Sequence, residues 1–347
     1  MHDRHVVREG SLLSLLSIST LSKWMPGGGR NVGLLVTLVL GLLLISLFSP
    51  QYLSLDNALV VALQISFVGI ASLGTASLII GGNVDLSIGS QYALCAVSAA
   101  MLAKELPVPL AWIAGILLGA TLGLINGLMV WRINISPIII TLGTLTIYRG
   151  IALRITNGFG VRGVPKSFSW FGQAKFLDIP LPIWILVAFA LIAHLILHYT
   201  TQGRHLFAFG GNKQAAEAAG INGRRLVLAS FALNGALVGT SAVLAASRFG
   251  SAAPTFGNGF ELDVIAAVIL GGVAFTGGEG SITGVVLAVI LLGVINSGLI
   301  STGIDSHYAQ VVKGAALVIA VTLDQLTQEQ QERHRKKLAF QERSPAA

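Results

Sequence analysis

The sequence predicts an all-α integral membrane protein. Hydrophobic residues make up 54% of the 347 residues, charged residues only 11%, and the mean hydropathy is +0.78. A soluble domain contains about 25% charged residues, so a large soluble protein with an apolar core does not explain this composition. Charge-free runs such as residues 32–48 and 59–80 are long enough to cross the hydrocarbon core of a bilayer as helices.

The hydropathy pattern indicates about ten transmembrane helices. Two of the spans are short, and the second of these, 262–276, has the features of a broken or re-entrant helix. The predicted spans are 31–48, 58–80, 87–103, 109–130, 137–156, 181–199, 226–247, 262–276, 281–302 and 308–324.

Lysine and arginine are distributed unevenly between the two sides of these spans. Fourteen of them fall on the N-terminal tail, Arg132, the segment 200–226 and the C-terminal tail, whereas five fall on the opposite side. By the positive-inside rule, both termini are therefore expected in the cytoplasm. The predicted organisation is a tail of residues 1–32, a polytopic domain of residues 33–324 and a charged tail of residues 325–347. The net charge of +7 reflects this bias toward one side of the bilayer and does not indicate nucleic-acid binding.

Glycine patterns suggest close helix packing and an internal repeat. Glycine recurs at every fourth position from 115 to 127, which lets two helices approach closely. The sequence LIIGG at 78–82 is echoed by VILGG at 268–272, as expected if the protein consists of two related helical bundles. Because the chain contains 41 glycines, this echo is weak support for a duplication.

The segment 200–226 is a polar, basic island between long apolar spans. Within it, residues 213–219 are predicted to form a short helix that Asn212 caps and Gly220 terminates. A helix of about two turns is marginal alone in water, so we expect a soluble partner to dock on it. The charged residues of the segment are Arg204, Lys213, Arg224, Arg225 and one acid, Glu217.

A first polar interruption lies at residues 81–90, between the second and third spans. Its glycines allow a sharp break, and Asp85 is an expensive group near the centre of a bilayer. One interpretation places Asp85 on the wall or gate of a translocation path. The other makes it a capping residue for a helix that begins at Leu86, and the two roles can coexist.

A second interruption runs from residue 253 to residue 263, and a glycine-rich turn follows at 276–281. Glu261 and Asp263 suit the positive end of a helix dipole, and Lys313 or Arg248 are candidate partners for them. The turn lacks the lysine and hydroxyl residue of a phosphate-binding loop. Since no such loop occurs elsewhere in the sequence, the chain is not expected to hydrolyse ATP itself.

The sequence provides no candidate catalytic site or metal site. His194 and His198 have the spacing of a ligand pair, but a third ligand does not accompany them at helical spacing. The single cysteine, Cys95, excludes an intrachain disulfide.

Several separate motifs, in the same order, resemble those of the membrane permease subunits of bacterial ABC importers for monosaccharides, the ribose, xylose and furanosyl-autoinducer group. The resemblance extends from residues 48–50 to residues 323–324. One departure is Asn83, where ribose-type members usually have glycine, so pentose, deoxyhexose and autoinducer substrates all stay open. The motifs are VDLSIGS at 84–90, TLGT at 141–144 with YRG at 148–150, TQGR at 201–204, GGN at 210–212 with AA at 215–216, and ELDVIAA at 261–267 with GG at 271–272.

This resemblance implies a multi-pass permease of the bacterial inner membrane that works with separate subunits. The expected partners are two cytoplasmic ATPase subunits, a periplasmic sugar-binding protein and a second permease copy or a paralogue. ATP and magnesium would be bound by the ATPase, and no cofactor by this chain. The residues implied in ATPase coupling are Gly203, Arg204, Gly211, Asn212, Lys213, Ala216, Glu217 and Gly220.

The polar interruptions provide the candidates for the translocation path, namely Asn83, Asp85, Ser87, Thr141, Thr144, Glu261 and Asp263. The alternative function is a secondary sugar transporter driven by an ion gradient, in which Asp85, Glu261 or Asp263 would be the protonatable group. Such a carrier has no need of a basic loop with a capped docking helix. We therefore expect the importer.

Overall fold

The computed structural model describes residues 28–133 and 135–303, together with residues 308, 311, 314 and 315. Most of these residues are helical, which confirms the predicted all-α class. The helices are α1 (Gly28–Phe48), α2 (Leu55–Ile80), α3 (Ile88–Leu102), α4 (Val108–Ile133), α5 (Pro137–Thr156), α6 (Trp170–Gln173), α7 (Leu181–Tyr199), α8 (Thr201–Gly211), α9 (Lys213–Ala218), α10 (Gly223–Phe249), α11 (Phe260–Leu270) and α12 (Ile282–Ser301).

Smaller elements occupy the connections. Single 3-10 turns lie at Pro50–Leu53 and Lys166–Ser169. A two-stranded antiparallel hairpin, β1 (Lys175–Phe176) and β2 (Ile179–Pro180), follows α6. Its two turn residues, at 177 and 178, have positive φ angles of 52° and 61°. The sequence predicted a loop over this region and did not indicate the hairpin.

Seven helices of the described part are long and apolar enough to cross a membrane: α1, α2, α4, α5, α7, α10 and α12. The two spans that the sequence marked as short correspond to α3, with 15 residues, and α11, with 11 residues. The predicted span at 308–324 lies almost wholly outside the described residues, as do both predicted tails apart from the start of α1. The total of about ten spans and the cytoplasmic location of the termini stay predictions.

Helix α10 lies at the centre of the bundle. It packs along α4 and also contacts α2 and α3. The most apolar stretches of α10 and α2 are each 67% buried, against 17% for those of α1 and α7. Apolar helices with exposed faces are expected where lipid is the solvent. The two helices next to the polar interruptions therefore form the core, and α1 and α7 surround it.

The glycine stripe on α4 determines how closely α4 and α10 approach. Its four glycines are buried. A Cβ atom added at Gly119 would overlap the carbonyl oxygen of Gly235, and one at Gly123 would overlap that of Phe231. The backbones of the two helices are thus in direct contact, which confirms the packing role that the sequence predicted for the stripe.

Helices α2 and α11 end in the same way, and these two helix ends are formed by the similar sequences LIIGG and VILGG. Each is followed by two glycines, of which the second, Gly82 or Gly272, has a positive φ angle of 76° or 86°. In both cases that glycine N–H donates to the carbonyl three residues earlier, at 2.8 Å, and the next N–H reaches the carbonyl five residues back. This pattern satisfies the final carbonyls of a helix. A relationship between two whole bundles stays a prediction.

We expect the substitution Gly123→Ala to lower the thermal stability of the purified protein. Alanine normally stabilises a helix relative to glycine, but here its Cβ would collide with the α10 backbone, and overpacking costs about 1–3 kcal/mol. The matched control is Gly41→Ala on α1, where a Cβ would meet no atom within 4 Å. Unfolding of Gly123→Ala at or above the temperature of the control, followed by fluorescence in detergent, would contradict the packing argument.

Candidate transport site

Asp85 lies in the connection between α2 and α3 and is completely buried. One carboxylate oxygen accepts hydrogen bonds from the Ser87 backbone N–H at 2.8 Å and from the Ser87 hydroxyl at 2.5 Å. The other accepts from the side-chain amide of Gln91 at 2.8 Å. Asp85 therefore organises the turn into α3, but Ser87 occupies the N-cap position of that helix, so the predicted capping role of Asp85 is not confirmed. The helix itself begins at Ile88, two residues later than the sequence predicted.

Two further helices join this buried network. The side-chain amide of Asn126, on α4, donates to the Ser87 hydroxyl at 2.8 Å and lies 3.3 and 3.4 Å from the two oxygens of Asp85. The hydroxyl of Tyr148, on α5, donates to the Asn126 side-chain oxygen at 3.0 Å. All these donors to Asp85 are uncharged. A buried network of this kind holds its members in one arrangement, so it fixes α3, α4 and α5 relative to the interruption.

Gln91, Asn126 and Tyr148 were not among the site residues predicted from the sequence, although Tyr148 belongs to the YRG motif at 148–150. A signal was present for Asn126, because it stands beside the glycine stripe of α4 and so faces the protein instead of lipid. A buried polar side chain needs a partner, and Asp85 was the nearest candidate that the spans offered. For Gln91 and Tyr148 the hydropathy pattern contained no comparable indication.

The Thr141 side chain contacts the interruption at 81–90, whereas the Thr144 side chain bonds within its own helix. The Thr141 hydroxyl accepts from the backbone N–H of Leu86 at 3.0 Å and donates to the carbonyl of Pro137 at 2.8 Å. The Thr144 hydroxyl donates to the Thr141 carbonyl at 3.3 Å. Both side chains are buried. In this conformation they support the structure and do not line the two cavities described below.

The segment between α10 and α11 turns back into the bundle. The carbonyl of Gly257 lies directly against Gly89 near the start of α3, where a Cβ would overlap both that carbonyl and the Glu261 carboxylate. The rings of Tyr92 and Phe260 are 4.4 Å apart. Helix α11 thus begins beside the first turns of α3 and ends after 11 residues, as expected for the predicted broken span.

Arg149, on α5, holds this returning segment. Its guanidinium donates to the backbone carbonyls of Pro254 and Phe256, and its charge interacts with that of Glu261. The sequence suggested Arg248 or Lys313 as the partner of the acids on α11. Arg149 occupies this position for Glu261, and Lys313 lies outside the residues whose side chains are described. The spacing of residues in the sequence does not show that Arg149 on α5 lies close to the segment before α11.

Asp263 faces a different region from Glu261. It lines a cavity of about 90 Å³ together with Gln64 of α2 and Asn296 of α12. The rest of the lining is apolar apart from backbone and comes from the same three helices. Polar side chains that meet between transmembrane helices mark ligand or solute pathways, because they are costly in lipid. Gln64 and Asn296 are further residues that the sequence analysis did not select.

Asn83 belongs to a second, larger cavity of about 560 Å³ at the end of the bundle that carries α8 and α9. The cavity also has Trp131, Lys213, Glu217 and Thr276 in its wall. The Lys213 ammonium lies 5.2 Å from the centre of the Trp131 ring, a cation–π contact. Asn83 therefore shares a cavity with residues of the basic island, whereas Asp85 and Ser87 belong to the buried network.

The basic island is mostly helical and is not an open loop. Helix α8 was not predicted, whereas α9 matches the predicted helix to within one residue. The Asn212 side chain accepts from the Ala215 N–H at 2.9 Å, and Gly220 follows the helix with a φ angle of 85°. Both the predicted cap and the predicted terminator are therefore confirmed.

Helix α9 is attached by one face only. Ala216 is buried in an apolar cluster with Leu78, Phe209 and Val227. The remaining predicted coupling residues lie around it on α8 and α9. Gly203 is buried at the first turn of α8, while Arg204, Gly211, Asn212, Lys213, Glu217 and Gly220 are exposed.

The two histidines of α7 stack on each other, with ring centres 4.5 Å apart. Among the described residues, no group of three or more potential ligands could hold a metal ion. The two rings thus pack face to face near the end of α7.

The arrangement of interrupted helices around polar cavities, with a polar helix presented at one end, is that of a solute-translocating membrane subunit. The family described as branched-chain amino acid transport system, permease component, matches residues 57–321. The chain belongs to this family of permeases. It is a membrane permease subunit of an ABC importer and a multi-pass protein of the inner membrane.

Permeases of several bacteria are similar to this chain in sequence. The ribose import permease protein RbsC of Escherichia coli K12 is 34% identical over 84% of this chain and 92% of its own length. RbsC of Bacillus subtilis is 37% identical, over 85% and 92%. The D-allose transport system permease protein AlsC of E. coli K12 is also 37% identical, over 80% and 86%. No solved structure matches the chain.

We expect Asp85→Ala to destabilise the protein strongly. The change removes the acceptor of the buried Ser87 N–H and hydroxyl and leaves the amides of Gln91 and Asn126 with the Ser87 hydroxyl alone, at a cost of about 1–3 kcal/mol for each unsatisfied group. Thermal unfolding in detergent measures the effect. Asp56→Ala serves as the control, since Asp56 is an exposed carboxylate in the first turn of α2. Equal unfolding temperatures for the two variants would show that the network does not stabilise the fold.

Proposed function

We propose that this permease carries a sugar or a sugar-like solute into the cell, driven by separate ATPase subunits. The observation that supports this most is the exposed, capped helix α9, which packs beside the end of α2. The relatives named for ribose, D-allose and autoinducer 2 point to polyhydroxylated solutes of similar size. Magnesium and ATP are bound by the ATPase, since the sequence of this chain contains no phosphate-binding loop.

The exposed residues of α8 and α9 are the docking site for the ATPase. Arg204, Lys213 and Glu217 are exposed beside the buried anchor Ala216, so a partner can grip this surface without displacing the core. This end of the bundle is then cytoplasmic, with both termini on the same side. The opposite end, which includes the segment 157–180, is the surface for a periplasmic binding protein.

The solute passes along the polar side chains of α2, α11 and α12. Gln64, Asp263 and Asn296 offer an amide, a carboxylate and a second amide around one cavity, which suits the hydroxyl groups of a sugar. Asn83 and Thr276 line the larger cavity at the cytoplasmic end. A second permease copy, or a paralogue, completes the path. Binding of ATP to the partner shifts the pair between outward-open and inward-open states.

Reconstitution tests this function directly. The permease is purified with the ATPase and the binding protein encoded beside it, placed in liposomes, and supplied with labelled D-ribose, D-allose or autoinducer 2. ATP-dependent uptake of one of these solutes supports the proposal. Uptake that needs no ATP and disappears when a proton gradient is abolished would identify an ion-coupled carrier instead.

We expect Arg204→Glu combined with Lys213→Glu to weaken binding of the ATPase and to make it less sensitive to salt. Charge reversal at an exposed docking surface removes electrostatic attraction, which salt otherwise screens. Co-purification at low and at high ionic strength measures the change. Lys175→Glu, an exposed lysine at the opposite end, is the matched control and should bind normally. Normal binding by the double variant would contradict the assignment of α8 and α9.

We expect Asn296→Leu to raise the solute concentration needed for half-maximal uptake by about tenfold, the effect of one lost hydrogen bond of about 1.5 kcal/mol. ATPase binding should stay unchanged. Thr121→Val is the control, because the Thr121 hydroxyl faces outward and bonds to the carbonyl of Leu117 in its own helix. A response of Asn296→Leu no larger than that of the control would remove this cavity from the path.

A further inference from the structure

Gly210, in the last turn of α8, lies against the end of α2 and the glycine-rich turn at 276–281 at once. The carbonyl of Ile80, at the end of α2, accepts a hydrogen bond from the N–H of Gly278 at 2.9 Å. A Cβ atom on Gly210 would overlap that same Ile80 carbonyl and would come within 2.8 Å of the Gly278 nitrogen. The end of α2, the connection between α11 and α12, and the end of α8 therefore meet at one point.

Apart from Ile80, the backbone positions that meet here are glycines. A Cβ on Gly277 would lie 2.9 Å from the Cα of Gly82 and 3.0 Å from the Gly210 carbonyl, and one on Gly278 would lie 2.6 Å from the Cα of Gly211. Gly277 and Gly278 also have positive φ angles of 87° and 76°, which side chains rarely adopt. We call Gly82, Gly210, Gly277 and Gly278 the glycine joint.

Contacts of this kind transmit displacement efficiently. Side chains can absorb a movement of an ångström by changing rotamer, whereas backbones in direct contact must move together, because packed interiors transmit strain. Helix α8 leads into α9 through Asn212, whose N–H still bonds to the α8 carbonyl of Ala208 at 3.0 Å. A displacement of α9 is therefore expected to displace Gly210 as well.

We propose that the glycine joint transmits movement of α8 and α9 to the end of α2 and to the glycine-rich turn at 276–281 at once, with Gly210 as its positioning residue. This inference rests on the proposed function, in which the ATPase docks on α8 and α9. It adds the route by which docking affects the path: the joint moves the end of α2 and the start of the turn before α12, the two points at which the path-lining helices can bend. Transport and ATP hydrolysis are then coupled through backbone contacts and not through the charged surface of α9.

The test compares Gly210→Ala with Gly41→Ala in the complete reconstituted complex. Alanine at 210 disturbs the joint without touching the exposed surface, so the ATPase should still bind. Coupling free energies change equilibria about 5- to 150-fold, and we expect the number of ATP molecules hydrolysed for each solute imported to rise about tenfold. Gly41→Ala introduces a methyl group where no atom lies within 4 Å and should keep the wild-type ratio.

A second variant covers the case in which Gly210→Ala does not assemble. At Gly280 a Cβ would meet side chains and no backbone, namely those of Ile80 at 2.9 Å and of Val273 at 3.0 Å, so Gly280→Ala is a milder disturbance and should raise the same ratio by a smaller factor. The proposal would be overturned if assembled Gly210→Ala hydrolysed the same number of ATP molecules for each imported solute as Gly41→Ala. If Gly210→Ala does not assemble, the same result with assembled Gly280→Ala would overturn it. Failure of the proposed function is distinct, because the wild-type complex would then show no ATP-dependent uptake of D-ribose, D-allose or autoinducer 2.

Discussion

The bundle is organised by the need to satisfy backbone groups where two helices stop inside it. The hydrocarbon core contains no water that could hydrogen-bond to these backbone groups. Each N–H or carbonyl freed at a helix end therefore requires a partner from the protein. The carbonyl of Ile80 is satisfied by Gly278, and that of Gly272 accepts from the Arg30 guanidinium at 2.6 Å. Arg149 serves the carbonyls before α11 in the same way. Helices from the periphery, α1 and α5, are thereby tied to the interruptions.

This constraint also explains why the polar residues of the core differ in function. Asp85 is enclosed by uncharged donors and fixes the arrangement of three helices, so it acts as a structural anchor in this conformation. Asp263 instead lines a cavity together with Gln64 and Asn296. The rigid network and the polar cavity involve different residues of the bundle. A transporter needs both, because a path can open reproducibly only if the elements beside it stay fixed.

Much of this architecture was predictable from sequence, and the limits have physical causes. Length and hydropathy located the long helices, since a bilayer imposes a minimum apolar length. Asn212 and Gly220 predicted the ends of α9, because capping is a local interaction. Contacts such as those of Arg149 and Asn126 depend on which helices are neighbours, and single-sequence periodicity carries no such information. Helix α8 was missed because its polar composition resembles that of a loop, although its burial against α2 and α7 stabilises it.

The most direct test of the account is a distance measurement between spin labels during the ATP cycle. One pair joins Gln214 on α9 to Glu279 beside the glycine joint, and a second joins Gln214 to Arg132 at the end of α4; all three residues are exposed. If α8, α9 and the glycine joint move as one unit, the distance from Gln214 to Glu279 stays constant between the nucleotide-free and ATP-bound complexes. The distance from Gln214 to Arg132 then changes. A change in the first distance with the second unaltered would contradict the account.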